Sequence, residues 1–345
     1  MPFADSRRFF MQLGRNLIKG RLTGYKPFFL SHLITAKCNF YCPECLWKDN
    51  RLRALSTDEI RFLYHQAGAC GFIANYIWGG EPLIREDIVE ILKSSRGNGL
   101  LTFINTNGWY LQDKLKAIAP YTDMLIMSLD HSQAAIHDRI RGKKGSYDRI
   151  INAIQMLKAQ YPKIRFLINT LVLMENKDDI ENMPLLWKQL GMAGYINFIE
   201  VDILKDIGKG RENKELDVSE QNRREIAARL LMMKKEGYPI LNTNHYFNTF
   251  VNGKQGYRCH FPKVFLEIYP DGTVLDCVRE ARPLGNVKEL PLKKILDHPR
   301  VQGMIEDGEK WCHIHNNADR IDMSNTWELK RASLVTGMRF LLRRI

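Results

Sequence analysis

Cysteines at 38, 42 and 45 fall in the run Cys38-Asn-Phe-Tyr-Cys42-Pro-Glu-Cys45. Thiolate is the preferred ligand of iron–sulfur clusters, and C-x3-C-x2-C spacing supplies three corners of a cubane. Three ligands leave one iron open to bind something else. A fourth nearby thiolate would close the cluster into a plain electron carrier. The nearest further cysteine, Cys70, ends a predicted helix and reads as a small buried hydrophobe. A structural zinc site is the competing reading, and it too wants a fourth Cys or His close by.

Two other groups of residues have types suited to chemistry. Gly79-Gly80-Glu81-Pro82 combines two glycines that admit close backbone approach, a carboxylate able to accept from an ammonium group, and a stiffening proline. Taken alone it reads as an ordinary strand-to-helix turn. Cys259, Cys277 and Cys312 form a second cysteine set. The first two bracket FPKVFLEIYPDGTVLD, a predicted hairpin turning at Asp271-Gly272. Buried thiols, or a zinc site completed by His260, His313 or His315, are the alternatives there.

The elements that must position these residues alternate. Predicted strands cover 28–36, 71–78, 100–106, 123–129, 163–174 and 195–204. Helices are predicted over 56–70, opened by a Ser56-x-x-Glu59 capping box, and over 85–96, 110–118, 146–160, 179–191 and 217–236. Six strands separated by helices imply a parallel α/β sheet with right-handed crossovers. The texture changes to short strands and turns after Pro239, which places a boundary near 240.

In this order and context the motifs resemble those of the radical SAM superfamily. The cysteine triplet follows the first strand, with the aromatic Tyr41 before its second cysteine. GGEP follows the second strand, Thr106-Asn107-Gly108 the third, and Ser128-Leu129-Asp130 ends the fourth. The resemblance implies a partial (β/α)6 barrel over 28–240, followed by a small α+β auxiliary-cluster domain of SPASM/Twitch type over 241–326. It implies a [4Fe–4S] cluster on Cys38, Cys42 and Cys45 that chelates S-adenosylmethionine. Gly79, Gly80, Glu81, Pro82, Asn105, Asn107, Ser128 and Asp130 are then its candidate contacts. It further implies an auxiliary [4Fe–4S] cluster on Cys259, Cys277 and Cys312. By the same resemblance, reductive cleavage of the cofactor gives a 5′-deoxyadenosyl radical that takes hydrogen from a substrate, with flavodoxin or ferredoxin as reductant. Glu200 and Asp202 on the sixth strand, Asn169 on the fifth and an inward-facing His32 on the first are the polar candidates for the substrate pocket.

Composition is that of an ordinary globular protein, with 345 residues, 45% hydrophobic and 26% charged. This excludes a disordered tail, a collagen-like fibre and a disulfide-stapled miniprotein. No run reaches the ~18 to 20 apolar residues of a membrane span, and the first residues lack an export signal. A cytoplasmic enzyme is expected, its seven cysteines serving metal or catalysis rather than disulfides.

The net charge of +12 is concentrated at the two ends. Residues 1–25 and 327–345 each carry +4, leaving +4 for everything between. Both ends also carry apolar residues at helical spacing: Phe9, Phe10, Leu13, Leu17 and Ile18, and Leu334, Val335, Met338, Leu341 and Leu342. Such a basic amphipathic arm (1–27) and helix (327–345) suit an anionic membrane surface, each cation worth about 1 kcal/mol there. Packing of both stripes on the main domain gives the same pattern. The weak basicity of the middle argues against nucleic acid. The leading expectation is a peripheral enzyme acting on a lipid or membrane-associated molecule. The alternative is a SPASM-type peptide or protein maturase, disfavoured by the lack of room for a leader-binding domain in 1–27. An iron–sulfur electron carrier or a zinc nucleic-acid-binding protein is the non-enzyme reading.

Overall fold

The computed structural model of the protein describes residues 11, 13–16, 22, 26–45, 52–199, 213–253, 257–275, 282–309 and 321–322. Six parallel strands are laid down in chain order: β1 (Phe29–Thr35), β2 (Ala74–Gly79), β3 (Leu101–Thr106), β4 (Met124–Ser128), β5 (Arg165–Val172) and β6 (Gly194–Phe198). Helices return the chain between them: α1 (Thr57–Ala69), α2 (Ile88–Gly97), α3 (Leu111–Ile118), α4 (Ala134–Ile140), α5 (Ser146–Gln160) and α6 (Asn182–Leu190). After β6 come α7 (Glu220–Lys235) and α8 (Asn244–Val251). The α1 capping box forms as expected, with Ser56 and Glu59 each accepting the other's backbone N–H.

The sheet does not stop where the texture of the sequence changes. A further strand, β7 (Phe265–Ile268), pairs in parallel with β1, and β8 (Thr273–Leu275) and β9 (Pro283–Asn286) add antiparallel beyond it. The order is β6-β5-β4-β3-β2-β1-β7-β8-β9, an open sheet of nine strands. The β7–β8 turn runs through Asp271-Gly272, with Gly272 at φ 90°. The free edge of β6 is closed by the Asn242 side chain, which accepts from Ile196 N (2.8 Å) and donates to Ile196 O (2.7 Å). This satisfies backbone groups that an edge strand would otherwise expose.

The two faces of the sheet differ. Leu30, Ile34, Ile77, Ile104, Leu125, Ile168 and Ile196 are buried beneath the helices. Burial along β4 and β6 alternates strictly, with Met124, Ile126 and Ser128, and then Tyr195 and Asn197, only half-buried. A side-chain period of two places these on the concave face, opposite the helices.

Three expectations shift in detail. The helix predicted at 85–96 begins at Ile88, because Pro82–Ile84 forms a 3-10 turn capped by Glu81. Helix α4, between β4 and α5, was not anticipated. β6 is described only to Phe198.

Candidate active site

Beyond β1 the chain turns at Thr35 and is tied at once to the end of β2. Thr35 O accepts Gly80 N at 2.8 Å and Lys37 O accepts Glu81 N at 2.9 Å. The fit is tight enough to dictate glycine. A Cβ on Gly79, which has φ 141°, would fall 2.3 Å from Thr35 O, and one on Gly80 would fall 2.1 Å from Lys37 O. The loop that follows carries Cys38, Cys42 and Cys45. Cys38 Sγ accepts Phe40 N, Cys42 Sγ donates to Arg141 O, and Cys45 N donates to Cys42 O.

Burial pushes both the Cys38 and Cys42 thiols up, Cys42 to about 12, while the nearby Arg141 guanidinium opposes the shift. A metal that replaces these protons recovers the charge lost to burial. Three thiols on one loop, beside a buried cation, fit an iron–sulfur cluster. Among the described residues no three His, Cys, Asp or Glu side chains stand close enough to hold a single metal ion, the three loop thiols included.

The Glu81 carboxylate is held by donors of its own chain. It is fully buried; Oε1 accepts Leu83 N (2.9 Å) and Thr106 Oγ1 (2.8 Å), and Oε2 accepts Asn107 N (2.7 Å). Desolvation pushes it up to about 7 despite these bonds. The side chain thus welds the Gly79–Pro82 turn to Thr106-Asn107-Gly108. Asn107 carries the linkage on, donating to Asn39 Oδ1 at 2.9 Å with its Nδ2 3.8 Å from Cys38 Sγ.

Arg141 escaped the sequence reading. Its Nη1 lies 3.3 Å from Glu44 Oε1 and 3.2 Å from Asp130 Oδ2, and its side chain is only 13% exposed. The ends of β1 and β4 thus share one buried cation. Asp130 is 1% exposed, and its Oδ1 accepts Leu171 N at 2.8 Å. The only signal in the sequence was an acid inside the cysteine loop, Glu44, where burial demands a counter-charge.

On the concave face Asn105 and Ser128 lie at the carboxyl ends of β3 and β4, and Ser128 is in register with Asn169 on β5. Asn105 Oδ1 is buried without a hydrogen bond among the described residues. Asn169 Oδ1 accepts Asn197 Nδ2 from β6 at 2.5 Å. His32 is elsewhere. It faces α1, where its Nδ1 sits 2.9 Å from the Tyr64 hydroxyl, and burial lowers it to about 3. An inward-facing His32 is therefore corrected. Glu200 and Asp202 lie outside the described residues.

Of the second cysteine set, Cys259 is buried beside Tyr257 and Phe261. Cys277, Cys312, His313 and His315 lie outside the described residues, as do 1–10 and 327–345, which hold most of the two basic ends. No described helix is long and apolar enough to cross a membrane.

An open parallel sheet with a thiol triplet at the carboxyl edge of its first strand defines a cofactor-dependent α/β enzyme. The chain is a radical SAM enzyme with a SPASM domain. The radical SAM superfamily model matches residues 33–184, and the SPASM iron–sulfur cluster-binding domain matches 259–315, a span that includes Cys259, Cys277 and Cys312. Its cofactors are accordingly a [4Fe–4S] cluster with S-adenosylmethionine and auxiliary iron–sulfur. The AdoMet-dependent heme synthase of Methanosarcina barkeri is 27% identical over 82% of this chain and 86% of its own length. The PqqA peptide cyclase of Rhizobium meliloti is 27% identical over 76% and 71%. Among solved structures, anSMEcpe with bound AdoMet has a TM-score of 0.65 at 13% identity, covering 89% of this chain and 99% of its own. Streptococcus suis SuiB bound to S-adenosylmethionine has 0.66 at 16%, covering 86% and 72%.

Proposed function

We propose that this radical SAM–SPASM enzyme abstracts hydrogen from a peptide substrate held against the concave face of the sheet. The observation that carries the reading is the lining of that face. Asn105, Ser128, Asn169, Tyr195 and Asn197 place carboxamides and hydroxyls at half-buried positions on four successive strands, interleaved with Ile126 and Leu171. Carboxamides both donate and accept, as the peptide group does, whereas an acyl chain calls for an apolar wall. PqqA peptide cyclases among the relatives support the same reading. None of the relatives or solved structures reported above is named for a lipid substrate.

Bound at the cysteine loop, the cluster and S-adenosylmethionine supply a carbon-centred radical. The chain's own residues orient the substrate and exclude water around it. Asn107 and Glu81 hold the loops in register, and Arg141 holds the cysteine loop against β4.

The test is anaerobic turnover of the full-length reconstituted enzyme with dithionite and S-adenosylmethionine. Three separate probes are added: a pooled synthetic peptide library, a porphyrin-precursor mixture and anionic lipid vesicles. Faster 5′-deoxyadenosine release with peptides alone, together with a peptide mass change, is expected. Stimulation by the tetrapyrroles or the vesicles and none by peptides would overturn the reading.

A further inference from the structure

We infer that the outer edge of the cysteine loop, where Tyr41 shares one short segment with Lys37 and packs on Gly142 just before Lys143 and Lys144, is the docking surface for an acidic protein that carries a one-electron cofactor. Within the loop burial alternates: Phe40, Cys42 and Glu44 point inward, while Tyr41 is 77% exposed and Pro43 is exposed beside it. An aromatic ring held in solvent on a short, internally anchored loop is not explained by the packing of this chain, and aromatic side chains are common anchors of interfaces.

The cations are fixed to the same edge. The Tyr41 backbone lies against Gly142 so closely that a Cβ there would sit 2.6 Å from Tyr41 O. Lys143 and Lys144 follow directly. Lys143 Nζ is 4.6 Å above the Trp109 ring, and that ring meets Phe40 edge-on at 5.9 Å. Residues 137–149 hold five Lys or Arg against two Asp.

Most of the acids close by are engaged inward. Asp138 accepts from Gly145 N, Ser146 Oγ and Tyr147 N, Asp113 pairs with Arg149, and Glu44 and Asp130 face Arg141. Asp148 and the Arg149-paired Asp113 stay exposed. Lys37 and Lys144 are exposed and form no ion pair among the described residues. The edge therefore presents positive charge around one aromatic, which complements a negatively charged partner and steers its approach.

Tyr41 is also bonded through one peptide to Cys42, so a partner seated on it lies next to a ligand of the cluster. The donor's reduced flavin or iron–sulfur centre loses one electron and the enzyme's cluster gains it; no bond or proton is exchanged. This inference rests on the cluster assignment, not on the identity of the substrate.

The test compares two reductants on the full-length reconstituted enzyme: reduced flavodoxin, an acidic flavoprotein, and dithionite. The double variant K37E/K144E is expected to lose about tenfold in flavodoxin-driven 5′-deoxyadenosine formation at low salt. Its dithionite-driven rate and cluster absorbance stay at wild-type levels. Calorimetric binding of oxidised flavodoxin, which needs no turnover, weakens in parallel, and Tyr41→Ala weakens it without any change of charge. Unaltered flavodoxin binding and rate in both variants would refute the surface. An equal fall with both reductants would refute it as well, because it would locate the defect in the cluster.

Discussion

Oε2 of Glu81 accepts the backbone N–H of Asn107 at 2.7 Å, joining the turn after β2 to the turn after β3. With three donors converging on one buried carboxylate, the two turns move as a unit. Glu81→Gln replaces one acceptor oxygen by an NH2 group that must face an N–H. We expect a loss of about 2–3 kcal/mol in stability, the cost of an unsatisfied buried donor. S-adenosylmethionine binding by equilibrium dialysis weakens with it. Wild-type stability in urea would show that the weld is dispensable.

Glu81 and His137 tilt the pH dependence in opposite directions. The Glu81 carboxyl is raised to about 7, so its contribution is complete below its unfolded value near 4.5 and is lost as pH rises through 7. His137, buried and accepting Asp130 N, is lowered to about 3, so its contribution is present above 6.5 and falls away as pH drops below that. From pH 6.5 to 5.5 each amounts to about 1 kcal/mol, of opposite sign. Urea midpoints across this range should fall more steeply toward acid in Glu81→Gln than in wild type, and less steeply in His137→Gln. Parallel curves for all three proteins would refute the assignment.

Gly80→Ala tests the stitch between β1 and β2. Its Cβ would lie 2.1 Å from a backbone carbonyl, Lys37 O, which no rotamer change relieves. The Cys38 end of the loop must then shift. A destabilisation of about 1–3 kcal/mol is expected, and iron retained after reconstitution drops with it. Full iron content in this variant would mean that the loop tolerates the shift.

How far the site could be read from sequence depended on the kind of constraint. The motifs survive because they are backbone requirements: Gly79 and Gly80 touch carbonyls, and Ser56 with Glu59 closes a helix end. The face on which a side chain lies was harder. In β1 every residue after Phe29 is buried, so FLSHLIT has no alternation to show that His32 faces Tyr64 and the helices. Long-range ion pairs leave no local trace, and Arg141 is 97 residues from Glu44. The pairing of β7 with β1 was hidden for the same reason, since a strand four residues long carries no mark of its partner.

The thiols themselves make a sharp comparison. Cys42 is buried and donates to Arg141 O, whereas Cys70 follows α1, away from the loop. Cys42→Ala should abolish the cluster absorbance of the first site and 5′-deoxyadenosine formation. Cys70→Ala should keep both. Loss in both variants, or in neither, would contradict a cluster held by the loop.

Arg141 provides the last test, because its guanidinium is shared by two buried acids, one of them inside the cysteine loop. Arg141→Met takes the guanidinium away from the buried Glu44 and Asp130, which costs about 3–5 kcal/mol. Burial already pushes Glu44 up to about 7, and without the guanidinium it should take up a proton at neutral pH. Arg141→Lys keeps the charge and should recover part of the stability, less than all of it because the guanidinium's further donors are lost. The double variant Arg141→Met/Glu44→Gln removes one acid along with its partner and should be more stable than Arg141→Met alone. Urea denaturation of wild type, Arg141→Met, Glu44→Gln and the double variant closes this cycle. If the double variant is as unstable as the sum of its two single variants, Arg141 and Glu44 are not coupled, and the cysteine loop is held by something other than this pair.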